Sequence, residues 1–94
     1  MIKIDFLESN DIEFLIHLYQ KYGLDEIFIS NNTFSINQKI LDKIQENPIY
    51  GESFYDHTIL MELLAEICEI VNQEDSFCLN ITDKDVILNP IIVE

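Results

Sequence analysis

Arginine is absent from this 94-residue chain, and lysine appears five times against eighteen aspartates and glutamates. The net charge of −13 leaves no basic patch, so direct binding to nucleic acid or to an anionic membrane is excluded as an expectation. With two glycines there is no room for a Gly-x-Gly-x-x-Gly or P-loop phosphate cradle. Two cysteines in apolar company, Cys68 beside Ile67 and Cys78 between Phe77 and Leu79, make no disulfide framework and read as buried free thiols. No apolar run approaches the roughly 20 residues that span a bilayer. The opening Met1-Ile2-Lys3-Ile4-Asp5 lacks a signal-peptide pattern, so a cytoplasmic protein is expected.

What is present is apolar bulk and acid. Hydrophobic residues make up 48 % of the chain, with seventeen isoleucines, too many for a disordered acidic tail. A chain rich in isoleucine and asparagine looks AT-rich in its coding, yet that bias also enriches lysine, which is scarce. Codon drift therefore does not account for the acidity. Residues 1–49 carry eight acids and four lysines, whereas residues 50–94 carry ten acids and one lysine. That asymmetry points to a charged face within one domain covering 1–94. Solubility alone is the competing explanation of the charge.

Periodicity predicts a β-α-β-α-α-β-β order. This is an α+β domain with three helices packed on a small, mostly antiparallel sheet. Ile2 to Phe6 alternates as a half-buried strand. Asn10 with Glu13 has capping-box spacing, and Ile12, Leu15, Ile16, Tyr19 and Tyr22 then share one helical face that Gly23 closes. Glu26–Ser30 reads as a strand, Asn31-Asn32 as a turn, and Thr33-Phe34 as a short hairpin extension. Ser35 with Gln38 is read as the cap of a second helix, ended by Asn47-Pro48. A connector over 48–57 leads to a third helix from about Asp56 to Asn72. Ser76–Ile81, a turn at 82–85, and Val86–Val93 complete a hairpin in which Pro90 implies an edge or an interruption.

The third helix is expected to be central, because Ile59, Leu60, Leu63, Leu64, Ile67, Ile70 and Val71 cover most of it. One narrow stripe is charged, Glu62, Glu66 and Glu69, whose α-carbons rise by about 6 and about 4.5 Å along the axis. Phosphates along one nucleic-acid strand follow at a comparable distance of several ångströms. Three fixed carboxylates on this helix can thus stand in for consecutive phosphates in a basic cleft. The bland reading is a solvated helix face. In the connector, Tyr50, Phe54 and Tyr55 alternate with Glu52 and Asp56, the aromatic-plus-acid mixture of an interface to a basic surface.

The run Pro48-Ile49-Tyr50-Gly51-Glu52, with Asp56 opening a helix, resembles the Tyr-Gly segment and acidic helix of barstar-type ribonuclease inhibitors. The resemblance is confined to this segment, and the asparagine and tryptophan of that family's pattern are missing. It implies an arrangement suited to blocking a basic nuclease.

Catalytic signals are sparse. Asp56-His57 is the one neighbouring acid–base pair, His17 sits alone in the first helix, and no nucleophile–base motif is present, so no enzymatic activity is expected. The Cys and His spacing matches no paired zinc-ligand pattern, and Asp83-Lys84-Asp85 lacks the ligand ladder of a calcium loop; no cofactor or metal is expected. The reading is an acidic inhibitor that occludes the basic active site or nucleic-acid cleft of a protein partner. It is either an immunity protein to a nuclease toxin or a nucleic-acid-mimicking phage inhibitor. The expected contacts are Tyr50, Glu52, Tyr55, Asp56, Glu62, Glu66 and Glu69. The alternative is a non-catalytic structural or adaptor module forming an oligomer, with Ile91-Ile92-Val93 as its contact.

Overall fold

A computed structural model describes residues 2–3, 7–46, 52–71 and 74–91, with positions 2, 3 and 52–55 described as backbone. The elements in chain order are β1 (Ile2–Lys3), α1 (Ser9–Tyr22), β2 (Glu26–Ser30), β3 (Thr33–Ile36), α2 (Gln38–Glu46), α3 (Glu52–Ile70), β4 (Ser76–Ile81) and β5 (Val86–Ile91). The fold is α+β. Three helices pack on a five-stranded sheet of order β1-β5-β4-β2-β3, in which every pair is antiparallel. The expected reach of the first strand to Phe6 and of the last to Val93 lies outside the described residues, as does the Asn47-Pro48 stop.

The first helix forms around its apolar stripe. Leu15, Leu18 and Tyr22 are buried, and Ile12, Phe14, Ile16 and Tyr19 pack against them. Its start is not the Asn10–Glu13 capping box. The helix begins at Ser9 behind Glu8, which makes no side-chain cap; the Glu8 carbonyl accepts from the Asp11 and Ile12 amides at 3.0 and 3.1 Å. Its end is as expected. Gly23 adopts φ 80°, ψ 21°, and its N–H donates to the Tyr19 carbonyl at 2.9 Å.

Both turn asparagines, Asn31 and Asn32, have positive φ (50° and 64°), the type I′ geometry that matches strand twist. The hairpin behind them is longer than the predicted extension, because Thr33 to Ile36 pairs fully with β2. Ser35 therefore lies in a strand and does not cap the second helix. Asn37 does, its Oδ1 accepting from the Lys39 amide at 3.0 Å. The reason is local. Asparagine is as good a cap as serine, and the alternation Phe34/Ile36 against Thr33/Ser35 suits a strand with one face in the core.

The core lies between the helices and one sheet face. Ile27, Ile29, Leu79, Ile81 and Leu88 reach it from the sheet, and Leu60, Leu64 and Ile67 from α3. α1 lies against β4 and β5, α3 lies against β3, and α2 bridges the two helices, with Ile44 buried. No described helix covers the other sheet face, where Phe28 and Ile91 are 46 % and 39 % exposed. Pro90 is accommodated within β5 opposite Phe77; the described β1 pairs stop at Leu88, so the strand's outer side at Pro90 carries no described partner.

Candidate partner-binding surface

α3 starts earlier than the sequence indicates, so much of the expected connector is helix. Tyr50 falls outside the described residues. Glu52 and Tyr55 are placed as helical backbone in the first turn of α3. At ~100° per residue, positions 52 and 55 are in phase with positions 59, 62, 66, 69 and 70, and all seven fall within an arc of roughly 100°. The helix thus joins part of the connector to the stripe as one continuous face.

Glu62, Glu66 and Glu69 are all exposed, and among the described residues none forms an ion pair. Two isoleucines of the helix's apolar cover stand beside them at the surface: Ile59 is 42 % and Ile70 48 % exposed. The spacing explains this. Ile59, Glu62, Glu66 and Ile70 step by three and four residues along one row, so an outward glutamate carries its row neighbours outward too. Cys68, at 3 % exposure, is in the core. The surface is a strip of three carboxylates bracketed by two aliphatic side chains about 16 Å apart along the axis.

Asp56 is not part of it. Out of phase with the stripe, it is 2 % exposed and turns toward the end of α1. There the Tyr22 hydroxyl donates to its Oδ2 at 3.1 Å, and Lys21 Nζ lies at 3.9 Å. A carboxylate so placed presents nothing to a partner; it ties two helices together. Nor does it pair with its neighbour, since His57 Nε2 meets the Gln45 amide nitrogen at 2.9 Å. Asp56 and His57 thus fasten α3 to α1 and to α2 respectively, which is not the geometry of an acid–base dyad. An open depression of about 380 Å³ nearby is lined by Lys21, Tyr22, Lys43 and Glu46. It gathers two lysines away from the acidic strip.

Burial pushes the Cys68 thiol up. Burial does the same to Cys78, aided by Glu26 and Asp25 and opposed by a hydrogen bond with Asn80. Both thiols are free and neither has the depressed pKa of a nucleophile. Three or more His, Cys, Asp or Glu side chains converge on a metal-sized site nowhere among the described residues. No helix among them is long and apolar enough to cross a membrane. No protein-family model, curated protein or solved structure matches the chain.

Proposed function

We propose that this chain is an acidic inhibitor that docks α3 onto a basic protein surface and occludes it. The surface in question is the active site or nucleic-acid cleft of a nuclease or other nucleic-acid-handling protein. In biological terms this is an immunity protein to a toxin, or a phage-encoded mimic of nucleic acid. The observation that carries the reading is the α3 strip: three exposed, unpaired glutamates on one face of a rigid helix, in a chain of net charge −13. The helix holds the backbone of the three glutamates in fixed register, so the entropy lost on docking is confined to their side chains. The surrounding negative field speeds encounter with a cationic cleft. Ile59 and Ile70 add the apolar contact that charge alone lacks.

Affinity capture from the native cell tests it, using the wild-type chain and the Glu62→Gln/Glu66→Gln/Glu69→Gln variant as baits. A basic protein held at low salt, released at high salt and lost with the triple variant is the expected result. Equal capture by both baits rules the strip out.

A further inference from the structure

We propose that the free edge of β3, under the acidic flank of α3, takes an extended basic segment of the partner as an added strand. The inference rests on the α3 reading and names the form in which the partner arrives.

β3 pairs with β2 and ends the sheet on that side. The two-residue Asn31-Asn32 turn makes Ser30 and Thr33 a hydrogen-bonded pair, so Phe28 and Ser35 are the next such pair. The backbone N–H and C=O of Phe34 and Ile36 therefore point away from β2. Among the described residues no hydrogen bond occupies them. Edges are ordinarily guarded by lysine, proline or a bulge. Residues 27–38 hold no charge and no proline, the longest uncharged run of the chain, and β3 pairs with β2 in unbroken register. This edge is unguarded.

Helix packing brings the acidic strip to the same border. α1 lies over β4 and β5, α3 lies against β3, and α2 touches both helices. His57 meets Gln45 of α2, so its side marks the flank of α3 that looks toward the middle of the domain. At ~100° per residue, Ile59, Glu62, Glu66, Glu69 and Ile70 lie on the opposite flank. Topology agrees. β3 and β4 both run antiparallel to β2, so they are parallel to each other, and α2 and α3 connect them. Such a crossover is right-handed. Asp56 bonds Tyr22, where α1 leads into β2, so α3 starts near the C-terminal end of β3 and runs back against it. With that hand and direction, and Leu60, Leu64 and Ile67 toward the sheet, the strip faces outward on the side of the β3 edge.

Charge selects the occupant. A strand added ~4.8 Å outside β3 sends every second side chain up beside this flank. Lysine or arginine at those positions can lay its apolar stem along Ile59 and Ile70 and put its charge against Glu62, Glu66 and Glu69. A second copy pairing through its own β3 would instead set three glutamates against three across the dyad, between chains of charge −13 each.

Nuclear magnetic resonance on the ¹⁵N-labelled full chain tests this at low salt. The probe is a capped octapeptide of alternating lysine and threonine; an alternating glutamate–threonine octapeptide is the control. Bound lysine peptide should shift the signals of 33–36 and of the three glutamates, and slow amide exchange at Phe34 and Ile36 at least about tenfold. Ile36→Pro removes an outward N–H that the β2 ladder does not use, so the native circular dichroism should persist. That variant and the Glu62→Gln/Glu66→Gln/Glu69→Gln variant should each raise the peptide Kd at least about fivefold. The control should not bind. Shifts at the glutamates without protection of Phe34 and Ile36, or affinity indifferent to Ile36→Pro, overturn strand addition and leave the α3 reading standing. Protection of the edge that is indifferent to the triple variant, or shared by the control, overturns the selection by charge and counts against α3 as well. Protection in the free chain that grows with its own concentration gives the edge to a second copy and overturns the proposal. So does absence of binding, whereas the α3 reading is then decided by the capture experiment.

Discussion

Replacing Tyr22 by Phe isolates the contact that holds the base of α3. Asp56 is 2 % exposed, and its described partners are the Tyr22 hydroxyl at 3.1 Å and Lys21 at 3.9 Å. A hydrogen bond to a charged group is worth about 1.5–3 kcal/mol. The Lys21 side chain is 30 % exposed, so screening holds its share below about 1 kcal/mol. Tyr22→Phe leaves the carboxylate buried with only the distant ammonium, and should cost about 2 kcal/mol, or roughly 10 °C in Tm. Asp56→Asn keeps the volume and an acceptor for the phenol while removing the charge, at about 1 kcal/mol. In the Asp56→Asn background the Tyr22→Phe change should then cost about 1 kcal/mol less, a coupling outside ordinary additivity. Urea unfolding of the four proteins by circular dichroism, with m held constant, measures the cycle. A Tyr22→Phe cost under about 0.5 kcal/mol, or an additive cycle, refutes the reasoning. Asp56→Asn should also leave partner affinity unchanged, because the carboxylate is not on the surface.

The Glu62→Gln/Glu66→Gln/Glu69→Gln variant should be more stable than wild type by up to about 1 kcal/mol at low salt, since like charges three and four apart each cost about 0.2–0.5 kcal/mol. The gain should fade in high-salt melts. Gly23→Ala should cost more than about 1 kcal/mol, with Gly23→Asn milder, because φ is +80° while a Cβ there meets nothing within 4 Å; thermal melts separate this backbone cost from a steric one. Both thiols are raised above their ordinary value of 9.0 in the folded chain, so above about that pH the unfolded state loses its protons first. The unfolded state then binds fewer protons, and stability falls as pH rises from there. Chemical denaturation between about pH 8 and 10 should show this slope, and Cys68→Ala/Cys78→Ala should flatten it.

What the residues disclose by themselves depends on whether local chemistry or tertiary packing decides. Glu26–Ser30 and Ser76–Ile81 are legible to the residue, since alternation and turn residues bound them on both sides. Gly23 and the Asn31-Asn32 turn are legible because positive φ restricts which residues fit. Ser35 misleads, because a strand and a helix cap both suit serine and only pairing with Phe28 decides. The insertion of β4 between β5 and β2 is a long-range choice with no local signature. In the candidate surface, the spacing of Glu62, Glu66 and Glu69 is readable directly. Ile59 and Ile70 are open to the same argument, since they share the glutamates' row, but an isoleucine invites a core assignment. Asp56 is the opposite case: an acid beside aromatics looks like a contact, and its burial depends on Tyr22, thirty-four residues away.

The central claim is that the α3 strip drives association with a basic partner. The most direct measurement is the association rate of the captured partner as a function of ionic strength, for wild type and the triple glutamine variant. The wild-type rate should fall steeply with salt, and the variant should bind more slowly at low salt with a flatter dependence. Identical rates and identical salt slopes for the two proteins contradict the account.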